Sequence, residues 1–159
     1  PRDSRTFNTD SGKANFRVHS ISAISVERDQ FVMMTIRSHD QYNTTIYGLD
    51  DRYRGIKQSR RIVLMCKKDM ERLGIKTGAM VDLTSHFEGD TLTAPKWRVV
   101  EYDIPSGNIA TYFPEANCLI PLNSVAKGSN TPTSKSVCVT VQPTVQNMRF
   151  WNSKATQAA

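Results

Sequence analysis

The residues best equipped for chemistry lie together in Thr35-Ile36-Arg37-Ser38-His39-Asp40-Gln41-Tyr42-Asn43-Thr44-Thr45, directly after the apolar run Phe31-Val32-Met33-Met34. The segment offers a guanidinium fork, several hydroxyls and two amides, with few groups suited to attacking a bond. Guanidinium pairs bidentately with oxyanions, and amides both donate and accept, so this inventory suits gripping phosphates and a heterocycle. Water and backbone could satisfy any one of these groups. So many of them beside a core strand need partners, and the expectation is a binding edge rather than a reaction centre.

Other chemistries find little support. His19, His39 and His86 are scattered, with no i,i+4 pair and no HExxH. Cys66, Cys118 and Cys138 are odd in number and far apart, without a CxxC. They are expected to be buried free thiols in a reducing compartment, which makes cytoplasm the default location. Asp50-Asp51 runs into Arg52 and reads as a charged turn, not an acid/base pair. No GxSxG, P-loop or GxGxxG occurs, and no serine has a nucleophile's context. The sequence holds no catalytic constellation.

The elements that must position the binding edge read mainly as short strands. Phe31–Ile36, Arg61–Cys66, Ala79–Thr84, Trp97–Tyr102, Ile109–Phe113 and Val137–Val141 carry the apolar and β-branched runs, and Val18–Val26 alternates weakly as a possible edge strand. Lys67–Leu73 is a short helix with Met70 and Leu73 on one face and Gly74 as its stop. Turns fall at Glu88-Gly89-Asp90 and Pro105-Ser106-Gly107. Residues 38–60 form a long polar loop, and loops of that length in a compact domain are usually functional. Six or seven strands with one or two short helices predict a β-barrel with long ligand-binding loops.

At 159 residues, with 38% apolar and 23% charged residues, the chain fits one domain with a real core. It has no apolar run of membrane-spanning length. The polar start Pro-Arg-Asp-Ser-Arg-Thr lacks an initiator Met and reads as a piece of something longer. The net charge of +6 is concentrated in Arg52, Arg54, Lys57, Arg60, Arg61, Lys67 and Lys68. Charge alone leaves three readings open: a nucleic-acid footprint on a stand-alone basic barrel, a solvated loop, or a surface facing an anionic cofactor; a further one is a structural domain whose basic loop docks another subunit.

Three blocks carry a family likeness. They are Thr35 through Gly48, then Asp69-Met70-Glu71-Arg72-Leu73-Gly74-Ile75-Lys76-Thr77-Gly78-Ala79-Met80-Val81-Asp82-Leu83, and last Tyr112 through Leu119 with Lys127 through Lys135. In this order they resemble the C-terminal cofactor-binding domain of molybdopterin oxidoreductases, in the formate dehydrogenase-like branch. The likeness spans roughly residues 18–142, leaving 1–17 as a polar lead-in and 143–159 as a tail.

The resemblance implies a double-psi β-barrel and molybdopterin guanine dinucleotide as ligand. It carries over Arg37, Ser38, Gln41, Asn43 and Thr44 from the first loop, and Asn117 and Lys135 from the last two, with His39 and Tyr42 as secondary contacts. Ser134, beside the lysine, departs from the family pattern. Arg37 and Lys135 would neutralise phosphate, while Gln41, Asn43 and Asn117 would orient pterin or guanine edges. The molybdenum and the substrate funnel would be held by N-terminal domains of a parent oxidoreductase. By itself this chain would then not turn over substrate.

Overall fold

Alternation in Phe31, Met33 and Thr35 sends every second side chain of the first strand inward, as a pleated strand requires. The computed structural model describes residues 3–21, 23–43 and 47–145. Its strands are β1 (Gln30–Ile36), β2 (Ile62–Met65), β3 (Met80–Phe87), β4 (Asp90–Glu101), β5 (Asn108–Tyr112) and β6 (Val137–Pro143). A helix α1 (Lys67–Leu73) follows β2, and a 3-10 turn (Glu115–Leu119) follows β5. The strands close into a barrel in the order β1-β5-β2-β4-β3-β6.

Two pairings are parallel: β1 with β5, from Val32↔Asn108 to Ile36↔Tyr112, and β2 with β4. The others are antiparallel. The interior holds Phe31, Met33, Val81, Leu83, Trp97, Val99, Ile109 and Val139, all out of solvent. β2 is buried along its whole length because its outer face is covered too. Ile62 and Leu64 pack there with Ile56, Ala110 and Tyr112 beneath the long loop. That loop is pinned by a bridge between Asp51 and Ile56.

The strand–helix–turn–strand unit appears as expected. Gly74 takes the left-handed conformation (φ 65°) that stops α1, and Ile75 N–H donates to Met70 O at 2.9 Å. Glu88 and Gly89, both at positive φ, make the two-residue turn of the β3–β4 hairpin.

Three expectations are corrected. Residues 18–21 and 23–26 form no strand, and Phe16, Val18 and Ile21 are fully exposed. β1 is already flanked by β5 and β6, so the closed barrel offers this stretch no edge to pair with. β4 begins at Asp90, well before Trp97, with Lys96 at positive φ and a register shift opposite it absorbing Pro95. The cysteines are not buried: Cys118 is exposed, while Cys66 and Cys138 are half-buried. Cys138 sits on the outward phase of β6, and Cys66 is the residue that caps α1. Among the described residues, no helix is long and apolar enough to cross a membrane, and no group of His, Cys, Asp and Glu could hold a metal ion.

Asp69 ties α1 to the start of β5. It accepts from Gly107 N–H (2.7 Å), Ser106 Oγ (2.9 Å) and Cys66 Sγ (3.1 Å), with Arg72 at 3.6 Å. Burial alone would raise its pKa, but these donors outweigh it and hold the carboxyl below its ordinary 3.8. A depressed carboxylate pKa stabilises the fold above the ordinary value, and that stability is lost as pH falls through the folded value. Asp69→Asn should therefore cost roughly 1–3 kcal/mol at neutral pH. Its deficit should shrink below about pH 4. Urea unfolding of both proteins across pH 3–7, on the order of that window, checks this; a deficit independent of pH would contradict it.

Candidate functional site

The polar set expected from sequence gathers where β1 and β5 end side by side. Phe113 N–H donates to Ile36 O at 2.8 Å, carrying the parallel ladder one step past the strands. On the other flank of β1, Thr35 N–H donates to Ser134 O at 2.9 Å. Three segments therefore leave one rim of the barrel: the loop of residues 37–43 with 47–60, residues 113–119 and the segment ending at Lys135.

Arg37 is exposed on this rim, and its backbone carbonyl accepts from Arg54 Nη1 at 3.2 Å. The Lys135 ammonium donates to Thr35 O and lies 3.5 Å from Thr35 Oγ1. Desolvation first, and the Arg37 charge second, lower the Lys135 pKa. Arg37 and Lys135 thus belong to one edge through Thr35, and among the described residues no carboxylate pairs with either of them.

Asn117 is exposed on the 3-10 turn and lines a cleft of about 370 Å³ with Phe113, Ile120, Pro121, Leu122, Thr131, Pro132 and Ser134. Asn43 and Tyr42 are exposed farther along the first loop. His39 stacks against Tyr53, with ring centroids 3.6 Å apart. Thr44 lies outside the described residues.

Ser38 and Gln41 turn inward. They are 4% and 6% exposed, and both bind a residue that sequence reasoning counted as surface charge. Arg60 is only 3% exposed. Its Nη1 donates to Ser38 Oγ (2.7 Å), Nη2 to Gln41 Oε1 (2.7 Å) and to Phe113 O (2.7 Å), and Nε to Glu115 Oε1 (2.8 Å). Gln41 Nε2 also donates to Phe113 O at 2.9 Å. The guanidinium carbon stands 3.7 Å from the Tyr47 ring centroid and 4.7 Å from that of Tyr112.

Asp51 completes the base of the loop. It accepts from Tyr112 OH at 2.7 Å and from Arg54 Nη1 at 2.5 Å, and is 1% exposed. Burial acts to raise its pKa, but the bonds from Tyr112 and Arg54 prevail and keep it low. Asp50 is the solvated member of the pair, accepting from Gln58 N–H at 2.7 Å. The turn expected at Asp50-Asp51 exists, but only half of it faces water.

Much of the basic excess is thus committed internally. Arg54 and Arg60 are paired, Arg61 donates to Pro95 O (2.6 Å) over the Trp97 ring, and Arg52 meets Asp40 at 3.4 Å. That consumption removes the main support for a nucleic-acid-binding face. Arg60 could have been singled out only by noticing that it abuts the buried strand Ile62–Met65.

Tyr112→Phe would leave the buried Asp51 carboxylate with one fewer donor. It should cost roughly 1–3 kcal/mol, since an unmet buried acceptor is penalised beyond the lost bond. Thermal unfolding measures this, and an unchanged midpoint would contradict the role given to that hydroxyl.

The family model described as molydopterin dinucleotide binding domain matches residues 31–147, which takes in the barrel from the second residue of β1 through β6, with the loops of the rim. An uncharacterized oxidoreductase of Mycobacterium tuberculosis is 48% identical over 149 residues, covering 91% of this chain and 19% of that protein. Protein YdeP of Escherichia coli is 38% identical over 146 residues, covering 87% of this chain and 19% of that protein. The chain thus spans about a fifth of the length of these relatives. With the family match running through the barrel and its rim, the chain belongs to the molydopterin dinucleotide binding domain family.

Proposed function

We propose that this chain is the C-terminal cofactor-binding domain of a formate dehydrogenase-like molybdopterin oxidoreductase, built as a double-psi β-barrel, and that its ligand is molybdopterin guanine dinucleotide. The observation that carries this reading is the Lys135 ammonium seated on Thr35 O, two residues before the exposed Arg37, at a rim whose Ser134 also lines the Asn117 cleft. A pair of mutually repelling cations favours an anion between them, and pyrophosphate supplies one. The adjoining cleft offers apolar walls from Phe113, Pro121 and Leu122, with the Asn117 amide and the Ser134 hydroxyl as polar groups. That combination suits a flat heterocycle with hydrogen-bonding edges.

In this reading Arg37 and Lys135 neutralise phosphate, and Asn117 and Asn43 orient ring edges. Thr44 joins this set through the family resemblance alone. Ser38 and Gln41 shape the loop from beneath, because their side chains are engaged by Arg60. The bound cofactor supplies the redox chemistry; this chain's residues bind and orient it. The metal and the substrate pocket belong to preceding domains of a larger cytoplasmic enzyme, consistent with the share of its relatives that this chain covers. The chain by itself then performs no turnover.

Arg37→Ala in the full-length protein should lower molybdenum and dinucleotide content while shifting stability by no more than about 0.5 kcal/mol, as for an exposed side chain. Metal analysis and pterin extraction from the purified variant make the test. Full occupancy in that variant would remove Arg37 from the site and with it the main support for this reading.

A further inference from the structure

Arg60 touches the two loops that carry Arg37 and Asn117, yet it lies beneath the rim rather than on it. Its guanidinium reaches Ser38 and Gln41 of the first loop through one edge, and Phe113 O and Glu115 of the second through the rest. Each bond runs from a rigid planar fork, so the relative placement of the two loops depends on the shape of this side chain, alongside the direct bond from Gln41 Nε2 to Phe113 O. The Tyr47 and Tyr112 rings close against the guanidinium, and Tyr112 in turn binds Asp51. Arg54 links that carboxylate to the backbone of Arg37. The path from one loop to the other is therefore continuous and mostly buried.

We infer that Arg60 is a positioning residue for the dinucleotide. It fixes the spacing between the phosphate-binding loop at Arg37 and the heterocycle-binding turn at Asn117, with its fork geometry and not only its charge being required. This inference rests on the proposed function and adds a residue that does not face the ligand. Lysine in its place retains a charge for Glu115 but has no planar fork with which to span Ser38, Gln41 and Phe113 O. The loops would then lose their fixed separation, and a ligand that must meet both would be held less firmly.

Loss of stability alone could also release a cofactor, so the test needs a control of matched stability. Asp69 provides it, since it anchors the opposite end of β5 and touches none of the rim loops. The full-length protein would be prepared as native, Arg60→Lys, Asp69→Asn and Arg37→Ala. Each would be assayed for unfolding midpoint, and for the rate at which molybdenum and extractable pterin dinucleotide are lost during dialysis.

Arg60→Lys should lose the dinucleotide on the order of tenfold faster than native, as removal of a supporting partner does at other bound groups. Asp69→Asn should lose it at the native rate even where its unfolding midpoint falls as far. Equal loss from both variants at equal midpoint, or native retention by Arg60→Lys, overturns the inference. If Arg37→Ala is depleted while Arg60→Lys retains cofactor, only the role of Arg60 fails. If Arg37→Ala retains full content, the reading of the site fails and the inference goes with it. Should Arg60→Lys not fold, Glu115→Gln replaces it: faster loss than from Asp69→Asn supports the inference, and native retention overturns it.

Discussion

A guanidinium taken out of water must find an acceptor for its donors and an opposite charge for its own. Without them its burial costs several kcal/mol. Arg60 meets both demands only where the ends of β1 and β5 lie together, because its acceptors come from the loops that follow those two strands. Pairing and burial are therefore one condition. Once the parallel ladder brings Ile36 beside Tyr112, the arginine has a place to go, and its filling that place holds both loops down. Removing one member of such an arrangement is far more damaging than the net worth of the pair suggests, since the remaining groups stay buried and unmet.

The barrel's topology explains why the rim gathers residues so distant in sequence. A parallel pairing places two strand C-termini at the same edge, so the loops after β1 and β5 emerge as neighbours. β6 runs antiparallel to β1, so the segment entering it passes the same edge and delivers Lys135 to Thr35. The loops that carry Arg37, Asn117 and Lys135 share a rim because the sheet closes, not because any local motif joins them. The opposite end of β5 is secured separately, by Asp69 receiving the Ser106-Gly107 turn. One end of the barrel is thus locked by a carboxylate and the other by an arginine.

Local signals were readable in the sequence. The β2–α1–β3 unit combined an apolar run, a one-sided helix and a glycine stop, and each is a property of neighbouring residues. The 18–26 stretch had similar alternation but no edge to join, a fact that belongs to the closed sheet and not to the stretch. The first half of β4 was missed for the converse reason: Asp90 to Thr93 face water, so no apolar pattern marks them, and Pro95 argues against a strand. Arg60 and Asp51 looked like ordinary loop charges, because the groups that neutralise them lie far along the chain. The rim residues could be assembled from sequence only through family resemblance, whereas the inward turn of Ser38 and Gln41 required the structure.

The claim that this rim holds the dinucleotide is tested most directly by amide hydrogen exchange. Full-length protein would be compared in its cofactor-loaded state and after stripping of the molybdopterin dinucleotide. Loading should slow exchange in peptides spanning residues 35–43, 113–119 and 131–136, and leave those spanning α1 and the β3–β4 hairpin unchanged. Protection confined to other parts of the chain, with these three segments unaltered, would contradict the account.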